Sequence, residues 1–372
     1  MIEIIKVQTK KEKKAFVDFP IKLYKGNKYY VPAIYADEMS IFTEKNIYYR
    51  TCDSVYFLAK KDGKYVGRIQ GIIQKQSNEL RHENRVRFTR FDCIDDLEVA
   101  KALFNAIENW GKEKGMDTIC GPLGYSDLER EGLLIEGFNE FSTYAEQYNY
   151  PYYENLIVNL GFEKEVEWHE FKVKYPEVLD KKISRVASRT LELNKLHLPD
   201  KKLSKRKLLK RYGDGIFCVL DECYKELYGT VPFTDDMKKQ MLSQFNLFIS
   251  KKWLLIILDE NDEVVSFAFC MPQIGKALQK SGGKLTLLTL LRLLRAIKKP
   301  KVIEFCLIGV LPKYQAKGVN SIALNGIIEM LKKDIDYCET NLCLDNNSKI
   351  LAQWKYFNAE NHKKRRAYMK KI

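Results

Sequence analysis

The residues of this chain best suited to chemistry lie between 302 and 321. Val302–Val310 reads Val-Ile-Glu-Phe-Cys-Leu-Ile-Gly-Val, an apolar run with one carboxylate, Glu304. Leu311-Pro312-Lys313-Tyr314-Gln315-Ala316-Lys317-Gly318-Val319-Asn320-Ser321 follows. The pattern predicts a strand, a turn at Pro312, and a tight loop over 315–320 that opens a helix. The first turn of a helix has backbone N–H groups with no acceptor behind them and carries the positive end of the helix dipole. Such a place suits a phosphate or pyrophosphate. Gly318 would let a ligand approach the backbone closely, and Lys313 and Lys317 add positive charge. The plainer alternative is an ordinary strand-to-helix loop capped by Asn320.

Around this segment the spacing predicts a helix over 321–333, a strand over 337–344, a helix over 350–357 and a basic final strand over 365–371. Upstream of it, strands over 253–258 and 264–271 flank the turn Glu260-Asn261-Asp262-Glu263. Helices are expected over 182–194, 207–228 and 235–249, with a short strand over 197–203. Residues 1–175 follow the same order. They read as a strand (1–7), a helix (10–25), a hairpin about Asp62-Gly63, a strand (86–93), a helix (97–114), a short strand (118–121), a Tyr-rich helix (148–160) and a closing strand (167–175). The recurrence of one order of elements at a period of about 180 residues argues for an internal duplication, with domains 1–178 and 179–372. An insert over 272–300 contains a Leu-rich segment, 285–297. Its apolar stripe predicts a helix covering one end of the cleft, or packed on the sheet, rather than a membrane anchor.

Composition narrows the function. With 372 residues, 45 % hydrophobic and 30 % charged, the chain is long enough for two globular domains and too ordinary for a disordered or fibrous protein. No apolar stretch is long enough to span a bilayer, and the N-terminus has no signal-peptide pattern, so a cytoplasmic protein is expected. The nine cysteines and four histidines show no zinc-site spacing, and reduced thiols without a metal are the expectation. Of the 63 basic and 49 acidic residues, residues 1–170 hold 24 and 28, leaving 39 and 21 for the remainder, a net of −4 followed by +18. A basic second half suits an anionic ligand. Signatures of nucleic-acid recognition are missing, so such a partner is possible but disfavoured.

Val310-x-Pro312-x-x-Gln315-x-x-Gly318-x-Asn320 resembles the acyl-CoA pyrophosphate motif, [RQ]-x-x-G-x-[GA], of the GNAT acetyltransferases. Residues 338–344 followed by Asp345-Asn346-Asn347 match that family's fifth strand and its Asn-led helix. The whole chain resembles a group of bacterial proteins with two GNAT-like domains. The shared features are Asn27-Lys-Tyr-Tyr-Val-Pro32, Val66-Gly-Arg-Ile69, Ile119-Cys-Gly-Pro122, Gly132-x-x-Ile135-x-Gly137-Phe138, Pro151-Tyr-Tyr153, Leu160-Gly-Phe162-x-Lys164 and Arg366-x-Tyr368. The resemblance implies an α/β fold of two tandem acyl-CoA N-acyltransferase domains, each a mixed, mostly antiparallel sheet flanked by helices. It implies acetyl-CoA or another acyl-CoA as cosubstrate and a small amine as acceptor. The expected contacts to the cosubstrate are Ile308, Gly309, Val310, Gln315, Ala316, Lys317, Gly318, Val319, Asn320, Ser321 and Asn347. Glu304 is the candidate base. The tyrosine that many members use as general acid would fall at Trp354, which leaves Tyr356 as the nearby candidate.

Two features depart from the family pattern. Asn320 stands where the motif ends in Gly or Ala. In the first half, Arg90–Asp96 offers no glycine, and Asp95 and Asp96 stand at the helix start, so that copy is expected to hold no cosubstrate. Aminoacyl transfer from tRNA and non-catalytic CoA binding are the alternative functions. His82, His169, the basic run 201–210 and the aromatic run 144–153 read more simply as surface, helix-face or core residues.

Overall fold

The computed structural model describes residues 1–44, 46–175, 181–245, 249–331 and 335–372. The first half comprises β1 (Ile2–Lys6), α1 (Lys10–Leu23), α2 (Tyr35–Ser40), β2 (Cys52–Lys61), β3 (Lys64–Gln74), α3 (Lys75–Arg81), β4 (Arg85–Cys93), α4 (Leu97–Glu113), β5 (Thr118–Gly121), β6 (Leu133–Glu136), α5 (Tyr152–Asn159) and β7 (Glu163–Lys174). The second comprises α6 (Lys181–Leu193), α7 (Lys205–Tyr224), α8 (Asp235–Phe245), β8 (Leu254–Leu258), β9 (Val264–Pro272), α9 (Gly275–Gln279), α10 (Leu287–Lys298), β10 (Val302–Val310), α11 (Val319–Leu331), β11 (Tyr337–Thr340), β12 (Cys343–Leu344), α12 (Ser348–Gln353) and β13 (Asn358–Lys371).

Local chemistry explains the main boundaries. Asp62 and Gly63 both adopt positive φ, 50° and 77°, and close the β2–β3 hairpin. Its counterpart between β8 and β9 turns on Asp262 at φ 67°, with the Asp259 carboxylate accepting from Asn261 and Glu263 N–H at 3.0 and 3.1 Å. Asp96 caps α4 by accepting from Glu98 and Val99 N–H. The buried face of α4, including Val99, Leu103 and Ile107, lies against β3 so closely that a Cβ at Gly67 would stand 2.8 Å from Leu103 Cδ1. The neighbouring Arg68 is buried and paired with Asp92 at 2.8 Å, so the Val66-Gly-Arg-Ile69 signature is a packing feature.

One sheet runs through both halves, in the order β1-β2-β3-β4-β5-β13-β7-β11-β10-β9-β8, with β12 on β7 and β6 on β13. Only β4–β5 and β10–β11 are parallel among the pairs described. From β2 to β8 the order is symmetric about its centre: β2, β3, β4 and β5 mirror β8, β9, β10 and β11, and β13 mirrors β7. That symmetry is the internal duplication in three dimensions. It carries a feature not expected from the sequence. Each half's closing strand pairs with the short strand of the other half: β13 with β5, and β7 with β11. The two closing strands also pair along most of their lengths. The expected break between residues 178 and 179 lies outside the described residues.

Other differences are local. The Tyr-rich helix begins only at Tyr152, because residues 148–150 are held by side-chain packing and by Asn149 bonding to Leu134 N–H and C=O. The expected strand over 197–203 reduces to a single bridge, His197 to Leu258, at the position that mirrors β1. The expected strand over 337–344 breaks into β11 and β12, and the final strand starts at Asn358 rather than 365. In the insert, α10 packs through Thr289 and Leu293, and the apolar stripe predicted to face the protein is largely exposed. Among the described residues no helix is long and apolar enough to cross a membrane.

Candidate active site

The β10–β11 ladder runs from Val302↔Tyr337 to Phe305↔Thr340 and stops. Its last link is Asn341 N–H donating to Phe305 C=O at 3.0 Å. Beyond it β10 stays with β9, through a register shift between Phe305 and Leu307, while the other strand crosses to β7 through β12. Two strands that part in this way leave a wedge between them. A cavity of about 740 Å³ fills it, walled by Phe305–Val310 on one side and Thr340–Leu344 on the other.

Four of the eleven expected cosubstrate residues, Lys317, Gly318, Val319 and Ser321, lie outside this wall; the other seven line it: Ile308, Gly309, Val310, Gln315, Ala316, Asn320 and Asn347. Ile308 turns its main chain away from β9. Its C=O accepts from Tyr224 Oη at 3.1 Å, and its N–H lies 3.4 Å from the same oxygen. The Val310 C=O accepts from Gln315 Nε2 at 3.1 Å. The loop 315–320 uses two left-handed residues, Ala316 at φ 63° and Gly318 at φ 82°. They reverse the chain so that Val319 begins α11; Ser321 N–H donates back to Gly318 C=O at 2.9 Å, which leaves the N–H groups of Val319 and Asn320 as the ones at the open helix start. Ser321 is turned inward, with Oγ donating to Gly318 C=O at 2.6 Å. Asn347 caps α12 by accepting from Ile350 N–H at 3.3 Å. Lys313 and Lys317 sit over the Tyr314 ring rather than over the loop. The cation at the wall is Lys349, whose Nζ donates to Gln315 Oε1 at 3.4 Å.

Glu304 is not part of this wall. It lies buried in a cross-sheet cluster: Glu304 on β10, Glu339 on β11, Glu170 on β7, and Lys363 and Arg365 on β13. Glu170 holds Lys363 at 3.0 Å and Arg365 at 2.7 Å, and these cations keep its carboxyl down to about 2 against the cost of burial. Lys363 also contacts Glu339, and His362 Nε2 lies 3.2 Å from Glu339 Oε1. Among the described residues Glu304 receives only the Tyr144 N–H, at 3.3 Å, and burial and the neighbouring Glu339 push it up to about 8. Trp354 occupies the cavity wall, in ring contact with Phe171, Phe305 and Phe357. The side chain of Tyr356 lies outside the described residues.

Sequence reasoning missed the acidic wall. Asp127, Glu131 and Glu146 come from the first half, on the long connection between β5 and α5, and line the cavity of the second half. Burial pushes Asp127 up to about 6, Glu146 up to about 8, and Glu131 well above the carboxylate range. Glu131 Oε2 and Glu146 Oε2 are buried with no hydrogen-bond partner among the described residues. The one signal in the sequence was the alternation Asp127-x-Glu129-x-Glu131 inside a glycine-bounded loop. Tyr224 and Cys223, from α7, were missed because helical periodicity marks them as core. Among the described residues no group of three or more His, Cys, Asp and Glu is placed to hold a metal ion.

No protein-family model matches the chain. Protein YghO of Escherichia coli (strain K12) is 25 % identical over 379 aligned positions, covering 98 % of this chain and 94 % of that protein. The bacterial ceramide synthase of Caulobacter vibrioides (strain NA1000 / CB15N) is 24 % identical over 329 positions, covering 84 % of this chain and 82 % of that protein. A tandem GNAT protein from the clavulanic acid biosynthesis pathway superposes with a TM-score of 0.56 at 8 % identity, over 100 % of this chain and 98 % of that one. A GCN5-related glucosamine N-acetyltransferase region of a fungal multi-domain GH3 β-N-acetylglucosaminidase gives 0.56 at 10 % identity, over 100 % of this chain and 38 % of that one. The parted strands, the turn into α11 and the symmetric sheet agree with these superpositions: the chain has the tandem GNAT fold.

Proposed function

We propose that the chain is an acyl-CoA-dependent N-acyltransferase with one active cavity. The donor site belongs to residues 179–372 and the acceptor carboxylates to residues 1–178. The observation that carries this reading is the meeting, at one wedge, of a helix start suited to a pyrophosphate and of buried carboxylates, of which Glu131 Oε2 and Glu146 Oε2 accept no hydrogen bond among the described residues and Glu146 has Arg365 4.0 Å away. The α11 N-terminus and Gly318 would take the pyrophosphate, and the freed edge of β10 would run beside the pantetheine arm.

An amine acceptor reaches the cavity as an ammonium and must lose a proton before it can attack the thioester carbonyl. The C–N bond then forms, the C–S bond breaks, and the CoA thiolate takes up a proton. Glu146, with its carboxyl raised to about 8, would accept the ammonium proton in its ionised form, so turnover through it should rise with pH toward that value. A backbone N–H on the wedge side of β10 would be the donor for the developing oxyanion; that of Ile308 already faces Tyr224 Oη, which would have to yield it.

The likeness to a ceramide synthase favours a long-chain amino alcohol as acceptor, because a ceramide is the amide of such an amine. A second, wholly apolar pocket of about 60 Å³, lined by Leu209, Phe217, Leu242 and Phe269 among others, shares Leu307 with the main cavity.

Native mass spectrometry of the purified protein, followed by turnover of acetyl- and palmitoyl-CoA against amines of both classes, tests the reading. Glu146→Gln should lower kcat by about a hundredfold or more while leaving CoA affinity unchanged. Absence of CoA binding in the folded protein would overturn the proposal.

A further inference from the structure

The leucines of α10 face the wrong way for a helix that belongs only to a water-soluble surface. Thr289 and Leu293 point inward, at 0 % and 2 % exposure, while Leu287, Leu291 and Leu294 are 77 %, 56 % and 57 % exposed. Leu290 is exposed as well, which completes the spacing i, i+3, i+4, i+7 of a continuous stripe along the outward face. Leu285 and Leu288 widen it. An apolar patch of this kind marks a surface that meets something else.

The charge around the stripe says what that is. Between Glu263 and Glu304 the chain has eight Lys and Arg residues and no Asp or Glu. Arg295, Lys298 and Lys299 are exposed on α10 or just past its end, Arg292 is half-buried beside the stripe, and Lys284 is exposed just before it. A second copy of this chain seated on the stripe would set these cations against their own equivalents. An acidic protein surface would satisfy the cations and leave the leucines in contact with polar groups. An anionic lipid surface answers both, with headgroups for the Lys and Arg heads and hydrocarbon for the leucines.

We propose that α10 is an interfacial helix that holds this protein on an anionic membrane surface. At 12 residues it is about 18 Å long, which allows it to lie in the interface and not to span. It is firmly mounted for that role. Thr286 caps it by accepting from Thr289 N–H at 3.2 Å. The loop before it is tied to the first half, with Tyr35 N–H donating to Gly283 C=O at 2.9 Å. On its inner side Leu293 shares a hydrophobic cluster with Cys306 and Leu307, both of which also wall the cavity. The membrane-facing helix therefore packs on α9 and β9, and β9 pairs with the strand that walls the proposed reaction site. The inference does not depend on that site's activity, because the helix is judged by binding alone.

The experiment is flotation of the full-length protein with phosphatidylcholine vesicles, with and without about one-third phosphatidylglycerol. The wild type should float with the anionic vesicles and lose at least about tenfold in partitioning on pure phosphatidylcholine or at high salt. The triple variant Leu287→Glu, Leu291→Glu, Leu294→Glu should show the same loss on anionic vesicles. These side chains are exposed, so its circular dichroism and Tm should match the wild type. Arg295→Gln, Lys298→Gln, Lys299→Gln should weaken binding in the same direction and flatten its salt dependence. Failure of the wild type to bind, or equal binding by the leucine variant, would overturn the proposal. So would a wild-type dimer that the leucine variant converts to monomer without any vesicle binding. Turnover on a water-soluble amine without vesicle binding would leave the acyl-transfer proposal intact while removing this one.

Discussion

Gly318→Ala separates the phosphate role of the α11 turn from its structural role. Gly318 sits at φ 82°, and a Cβ there would stand 2.9 Å from Thr190 Oγ1 on α6. A residue with a Cβ in this conformation costs about 1–2 kcal/mol, and the short contact asks Thr190 to give by a few tenths of an ångström. Spread over the heat of unfolding of so long a chain, that cost lowers Tm by only about a few degrees. Valine would add strain of its own through its branch, so alanine is the cleaner probe. If the turn amides hold pyrophosphate, the strained turn, pushed from the Thr190 side, shifts those amides and weakens charge-assisted bonds of about 1.5–3 kcal/mol, and CoA affinity falls about tenfold to a hundredfold. Calorimetric titration with CoA and with pantetheine reads this directly. Pantetheine has no pyrophosphate and should bind the variant and the wild type alike. The pair Gly318→Ala, Thr190→Ala removes the nearest crowding atom; it should relieve the contact while the cost of the left-handed φ remains, without recovering CoA affinity. Unchanged CoA affinity in a folded Gly318→Ala protein would refute the placement of the pyrophosphate. Recovery of affinity in the double variant would show that the effect ran through α6.

Two further outcomes follow from the buried acids and from the first half. Glu304 titrates at about 8 in the folded chain against an ordinary 4.5, so between those values the unfolded chain has released a proton that the native state keeps, and stability falls as pH rises through that window. Glu304→Gln retains an oxygen for the Tyr144 N–H, so urea unfolding at the two ends of the window should show a shallower pH slope than wild type; an unchanged slope would mean that Glu304 is ionised in the native state. The chain should bind one CoA, because the Asp96 carboxylate, held by Lys61 at 2.7 Å, already takes the N–H groups of Glu98 and Val99 at the first half's equivalent of the α11 turn. Native mass spectra with two CoA per chain, one of them surviving Gly318→Ala, would count against it.

The strand, turn and helix over 302–331 were legible because each carries its own local signal: an apolar run, a proline, a glycine and a renewed apolar period. The same holds for the β2–β3 hairpin and for Asp96 at the start of α4. The acidic wall was not legible. Asp127, Glu131 and Glu146 stand more than 150 positions before the strand they face, and a carboxylate in a glycine-bounded loop reads as solvent-exposed until the fold buries it. Glu304 was legible as the one acid on β10, but its surroundings were not. Its neighbours Glu339 and Tyr144 come from different elements and together set its proton affinity.

The sequence by itself determined the order of elements, the duplication and the loop into α11, since these follow from periodicity and turn chemistry within a few residues. The tertiary structure alone decided which strands pair. Alternation tells a strand which faces are buried and says nothing of its neighbour, so β7 and β13 gave no sign that each would complete the other half's sheet. It also decided which side of α10 turns inward. Periodicity put the stripe of Leu287, Leu288, Leu291 and Leu294 on the inner face, and that was wrong: leucines ring most of the helix, Thr289 and Leu293 make the contact with the layer beneath, and the stripe is left outside.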